Sequence, residues 1–246
     1  MLTQPMQEMP VPPEKVSVLG LPLHLSPDYA QWWRSRPQSG THIITLNAEM
    51  AMLAERTPEL AAILHGADLI VPDGAGVIFY LWLRRKKQHR CPGIELAAQL
   101  IEELGRDAQP RTLVFFGAAP EVAEVAAQGW RSRFPRLTIH TQHGYLNPDE
   151  QRDFAQQLAQ WQPDLILVGL GVPRQEYWIA QHRHLCPQAT WIGIGGSFDI
   201  WAGTKQRAPR WLRENHLEWL YRLYKEPWRW RRMLVLPHFA WRSLWP

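Results

Sequence analysis

Only two cysteines, Cys91 and Cys186, occur in the 246 residues. That is too few for a disulfide framework or a cysteine metal site, and it makes a reducing cytoplasm the expected compartment. No uncharged apolar run reaches the roughly 18 residues a bilayer-spanning helix needs. No N-terminal stretch joins basic residues, an apolar segment and a small-residue cleavage site; "MLTQPMQEMPVPP" reads instead as a disordered leader over residues 1–14. The chain lacks G-x-G-x-x-G and G-x-x-x-x-G-K-[ST], which argues against nicotinamide and P-loop classes. It also lacks an Asp-x-Asp pair for a metal-bound nucleotide diphosphate, and its ten histidines are scattered. Neither a metal centre nor a cofactor is expected.

What is present is a core-forming composition, 46% hydrophobic, and a strongly uneven charge. The net charge is +4, but residues 205–246 hold 10 Lys/Arg against 3 Asp/Glu, a balance of +7, so residues 1–204 carry −3. The same tail holds six of the 14 tryptophans: Trp211, Trp219, Trp228, Trp230, Trp241 and Trp245. Arginine and tryptophan interleaved at this density suit an anionic bilayer surface, where indoles lie at the headgroup level and guanidiniums meet phosphates. Packing of the aromatics on the body and binding of nucleic acid are the other readings, and no nucleic-acid-binding motif accompanies the charge.

Between residues 15 and 204, strand and helix patterns alternate. "THIITLN", "DLIVPD", "RTLVFFGA", "LTIHTQ", "DLILVGLG" and "TWIGIGG" read as strands, and "KVSVLGLPLHL" precedes them as another. Helical spacing fills the intervals, as in "AEMAMLAERTPELAAILHGA", "GIELAAQLIEELGRD" and "NPDEQRDFAQQLAQW". This order predicts an α/β fold: a mainly parallel, doubly wound, Rossmann-like sheet with helices on both faces and a basic, Trp-rich helical appendage at 205–246. The body is expected to fold without that appendage.

In such sheets ligands bind beyond the carboxyl ends of the strands. The residues there are Thr45, Asn47, Asp73, Gly117, Gly169, Gly171, Gly195, Gly196 and Asp199. Asp73 can take a proton from an attacking hydroxyl, or it can cap the turn that follows through Gly74. The glycines allow backbone amides to approach a phosphate or sugar. An anionic leaving group handled without metal needs arginines or helix N-termini, and Arg90, Arg174, Arg207, Arg222, Arg229 and Arg232 are available.

Six motifs in order then resemble one family. They are "TLNAEM", "VPDGAGV", "RCPGIEL", "GLGVPRQE", "GIGGSFD" and "RAPRW...LEWLYRLYKEPWRWRR", spread between Val16 and Pro237. The chain resembles the WecG/TagA/CpsF family of bacterial glycosyltransferases, with Cys91 and Glu95 as departures in the third motif. The resemblance implies inverting, metal-independent transfer of an N-acetylmannosamine-type sugar from UDP to a polyprenyl-diphosphate-linked N-acetylglucosamine acceptor, for a cell-surface polysaccharide. It implies Asp73 as general base, Thr45 and Asn47 in the sugar pocket, and Arg90 and Gln175 as substrate contacts. Arg222, Arg229 and Arg232 would complete the site over the diphosphate, the alternative being contact with lipid headgroups only. The implied location is the inner face of the plasma membrane, held peripherally, and an exposed aromatic tail can also drive homo-oligomerisation. A soluble nucleotide-dependent Rossmann-like enzyme and a noncatalytic phosphate or nucleic-acid binder are the alternative classes.

Overall fold

The computed structural model describes residues 13–36 and 40–245, without the side chain of Arg229. The expected leader lies outside the described residues except for its last two, and Glu14 already opens a strand. The stretch read as one initial strand is a hairpin, β1 (Glu14–Val18) and β2 (Leu21–Leu25), paired antiparallel with Val16 opposite Leu23. Leu19 and Gly20 both take positive φ, 51° and 84°, and that pair of left-handed residues reverses the chain in two positions.

The remaining strands are β3 (Thr41–Leu46), β4 (Leu69–Pro72), β5 (Arg111–Gly117), β6 (Leu137–Gln142), β7 (Leu165–Gly169) and β8 (Thr190–Gly193). Among the described residues they form one sheet in the order β4-β3-β8-β7-β5-β6, with each neighbouring pair parallel. The expected doubly wound α/β fold is present. Two-residue alternation splits each strand between the faces. On β5, Leu113 and Phe115 join the cluster under the helices Gly93–Gly105 and Val122–Arg133, whereas Val114 and Phe116 join Phe154 and Ile179 on the opposite side.

One expected helix is two, Ala48–Ala54 and Pro58–His65. Pro58 cannot continue a preceding helix but fits the first turn of a new one, so the break falls in front of it.

From β4 at one edge the chain crosses to β5, lays β6 outside it, then returns through β7 and β8 to lie beside β3. The winding therefore reverses around β3, β8 and β7, and the crevice opens at their carboxyl ends.

The composition shift near residue 204 is not a break in packing. The tail is helical at Arg210–Glu214, Glu218–Lys225 and Val235–Leu244. Helix Val235–Leu244 packs against helices Ala48–Ala54 and Ala75–Leu83. Phe239 is 1% exposed and shares an apolar cluster with Leu46, Leu60, Val77 and Tyr80. A body lacking the tail would bare that apolar cluster to water, a cost in burial that the expectation of independent folding has to meet.

Candidate active site

Asp73 stands just past β4, at the mouth of the crevice. Its N–H donates to the Leu46 carbonyl (2.8 Å), which seats it against the end of β3. The helix Ala75–Leu83 that follows takes Gly74 as its N-cap residue and has no side-chain cap, so the capping role open to Asp73 in that helix is not used. Its Oδ2 instead accepts the Gly93 N–H (3.4 Å) at the start of helix Gly93–Gly105. The Cys91 N–H donates to the Pro72 carbonyl (2.7 Å). These two bonds fold residues 91–93 onto the end of β4 and bring Arg90 over Asp73.

Arg90 does not pair with Asp73. Its Nη2 donates to Glu218 Oε2 (2.9 Å), while Arg222 Nη2 donates to Glu218 Oε1 (2.7 Å). Burial pushes the Asp73 carboxyl above its ordinary range, opposed by the charges of Arg222 and Arg90 and by the Gly93 N–H, and reinforced by Glu218. Glu218 goes the other way: burial acts to raise it, but Arg222 and Arg90 together hold it below the usual carboxylate range.

Glu218 stands at this site through its bonds to Arg90 and Arg222, and the sequence reading did not name it. Its only local signal is a Glu four residues before an Arg on a helix, which is usually a solvent-exposed pair.

The other candidate residues divide into those that face the crevice and those that support it. Gly171 and Gly195 have positive φ, 77° and 53°, and open space where a Cβ would project, so their loops line the crevice. Gly117 and Gly169 meet each other instead: a Cβ on Gly117 would lie 2.5 Å from the Gly169 carbonyl. They close-pack two strand ends, which is the close approach that requires glycine there.

Gln175, expected as a substrate contact, is 2% exposed and points inward. Its Oε1 accepts the N–H groups of Gly171 (3.1 Å) and Gly195 (3.0 Å), and its Nε2 donates to Glu176 (2.8 Å). Gln175 thus staples the two glycine loops from beneath. Glu176 is buried with one oxygen unpartnered, and burial lifts its carboxyl to about 7.

Thr45 is also buried, and its hydroxyl donates to the Gly193 carbonyl (3.4 Å). Asn47 caps helix Ala48–Ala54, with Oδ1 accepting the Met50 N–H (3.0 Å).

The arginines are not gathered in one place. Arg90 and Arg222 flank Asp73 through Glu218. Arg207 binds Glu95, the departure from the family pattern, and Arg213 approaches the same oxygen at 3.5 Å. Arg232 pairs with Glu49 on helix Ala48–Ala54 (2.7 Å). The side chain of Arg229 lies outside the described residues. Beside Arg90, an open cleft of about 400 Å³ is lined by His89, Glu95, Arg210, Arg213 and His216 among others.

Among the described residues no three His, Cys, Asp or Glu side chains converge as a metal-ligating group. No described helix is long and apolar enough to cross a membrane. Exposed aromatics do cluster in sequence on the tail, including Trp228, Trp230, Trp241 and Trp245. Phe79 and Trp82 of the body, with ring centroids 6.1 Å apart, sit exposed on the helix that packs beside Val235–Leu244.

Comparison with known proteins adds an independent line. The Glycosyl transferase WecG/TagA/CpsF family matches residues 16–246. A Bacillus spizizenii (strain W23) protein is 39% identical over 203 residues, 82% of this chain and 77% of the relative. A Bacillus subtilis (strain 168) protein is 34% identical over 215 residues, covering 87% and 82%. A Staphylococcus aureus (strain MW2) protein is 29% identical over 235 residues, covering 93% and 91%. Each of the three is an N-acetylglucosaminyldiphosphoundecaprenol N-acetyl-beta-D-mannosaminyltransferase.

Proposed function

The chain belongs to the WecG/TagA/CpsF family of glycosyl transferases, and from that premise we propose that it transfers an N-acetylmannosamine-type sugar from UDP to a polyprenyl-diphosphate-linked N-acetylglucosamine, in cell-surface polymer synthesis. One observation carries the reading of the chemistry. Asp73 stands at the crevice mouth with no direct cationic partner among the described residues, and two guanidiniums are held close by. The acceptor hydroxyl attacks the anomeric carbon, Asp73 takes its proton, and the bond from that carbon to the diphosphate oxygen breaks so that UDP departs. From an α-linked donor, attack opposite the leaving group forms the β linkage carried in the relatives' names.

Departing negative charge is met by Arg90 and Arg222, so the transfer is metal-independent on this reading. Thr45 and Asn47 shape the sugar pocket by fixing the end of β3 and the helix after it. Gln175 does so by fixing the Gly171 and Gly195 loops.

A lipid-linked acceptor stays in its bilayer, so the enzyme docks peripherally on the inner face. The tail at 205–246 presents the aromatics and arginines for that contact. The Arg232 pair with Glu49 keeps the tail's basic segment beside Asn47 and the crevice.

The test is UDP release from UDP-N-acetylmannosamine, with a short-chain lipid-diphosphate N-acetylglucosamine acceptor, in EDTA. Acceptor-dependent release by the wild type that falls at least about a hundredfold in Asp73→Asn supports the reading. Equal release by both proteins would return Asp73 to a structural role.

A further inference from the structure

Two guanidiniums beside one carboxylate would ordinarily pair with it. Such pairing occupies the lone pairs and lowers basicity, which opposes general-base work. Here the arginines are diverted to a second carboxylate. We propose that Glu218 is a positioning residue of the transfer site: it binds Arg90 with one oxygen and Arg222 with the other, keeping both cations near Asp73 while leaving Asp73 free to accept a proton. The proposal rests on the reading of Asp73 as the base.

The geometry is specific to this task. Glu218 is 6% exposed, and the Arg90 side chain is nearly as well covered, so their bond is shielded from water. The bond links residues 128 positions apart, joining the body's loop before Gly93 to the first turn of helix Glu218–Lys225. Arg222 remains half exposed, able to reach an anion in the crevice while anchored at its other edge.

Every charged neighbour of the pair fits. Glu218 faces Arg90 from the loop, Arg222 from its own helix and Asp73 from the end of β4. Arg222 also feels Glu226, which Lys205 holds at 3.2 Å while lying 4.0 Å from Asp199. Cys91, next to Asp73, is pushed far above the ordinary thiol range by burial and stays neutral. Glu218 is therefore the anion that sets how strongly the two arginines act on Asp73.

Glu218 is also a tail residue, and that gives the contact a second consequence. The tail's docking on the body and the ionisation of Asp73 are coupled through one side chain.

The experiment compares the full-length wild type, E218Q, E218D and D73N for acceptor-dependent UDP release from about pH 4.5 to 9, with thermal unfolding as a check on folding. The ionised form of Asp73 is the active one, so rate falls as pH drops through its pKa. In E218Q a negative charge leaves and both arginines turn to Asp73; both changes favour the ionised form. The acid limb should move to lower pH by about one unit, and the plateau rate should fall by up to about tenfold as the base weakens. E218D keeps the charge, so its acid limb should stay within a few tenths of a unit of wild type, with a smaller rate loss. If E218Q unfolds, R90Q/E218Q removes the buried unpaired guanidinium, and Arg222, freed to pair directly with Asp73, should still pull the acid limb of its residual activity below wild type.

An unmoved acid limb in E218Q, whatever its rate, would reduce Glu218 to a prop for the tail and overturn the proposal. A fully active D73N would instead count against Asp73 as the base, and an inactive wild type against the proposed transfer itself, so the failures are distinguishable.

Discussion

The body and the tail use aromatic residues in opposite ways. Trp191, Phe115 and Phe198 of the body are fully buried among sheet and helices, while Trp228, Trp241 and Trp245 of the tail stand more than half exposed. The two regions nevertheless meet at buried points, among them Phe239 in an apolar cluster and Glu218 at the candidate active site. The difference teaches that the tail is neither a free appendage nor a third layer of core. It is fastened by an apolar ring, a carboxylate and several ion pairs with the body, while Trp228, Trp241 and Trp245 stay exposed.

The comparison can be broken first at its chemical end. Asp73→Asn should lower transfer by about two to four orders of magnitude without loss of fold, measured as UDP release beside thermal unfolding. Its unfolding should show a smaller, opposite effect. A carboxyl raised by burial contributes stability that is fully present below its unfolded pKa and is lost as pH rises through the higher folded pKa. At neutral pH, above the unfolded pKa, the raised carboxyl therefore weakens the fold, and the Asn variant should unfold at a higher temperature than the wild type. A lower temperature would mean that the Gly93 bond outweighs the buried charge.

The second break is at Phe239. Phe239→Ala should cost about 3–5 kcal/mol, the range for emptying a phenyl-sized site, seen as a thermal midpoint lower by roughly 10 °C. An exposed counterpart in the same helix, Trp241→Ala, should change stability by less than about 0.5 kcal/mol. Equal losses in the two would erase the distinction between fastening and facing residues.

The surface role sharpens the contrast. Replacing Trp228, Trp241 and Trp245 together by alanine should weaken sedimentation with anionic vesicles by about tenfold, while UDP release with a water-soluble acceptor stays within about twofold. Vesicle binding unchanged by the triple substitution would move the contact elsewhere, with Phe79 and Trp82 next to be changed.

The smallest effect is expected for Arg232→Gln, whose half-exposed pair with Glu49 should contribute at most about 1 kcal/mol to stability. A larger drop in transfer than in stability would bring Arg232 into contact with substrate.

Much of this architecture was legible in order along the chain. Apolar strands, helical spacing and glycine punctuation are local patterns, and they put Asp73, Gly171 and Gly195 at the carboxyl rim before any coordinates. Boundaries were less legible where a turn depended on backbone conformation. At Leu19 and Gly20 the sequence reads as one continuous strand, because nothing in "VLGLPL" forces the reversal without the sheet that receives it. The split before Pro58 was readable in principle, since proline disfavours a continuing helix on its N-terminal side.

The site divides along the same line. By itself the sequence determined which residues could do chemistry: a lone aspartate after an apolar strand, loops of glycine, and a tail rich in arginine and tryptophan. Only the tertiary structure decided which of them meet. It turned Gln175 inward to hold two glycine loops, put Phe239 under the tail, and sent Arg90 and Arg222 to Glu218 and not to Asp73. Those outcomes depend on partners brought together from distant parts of the chain, and on burial that makes each charge strong only where water is excluded.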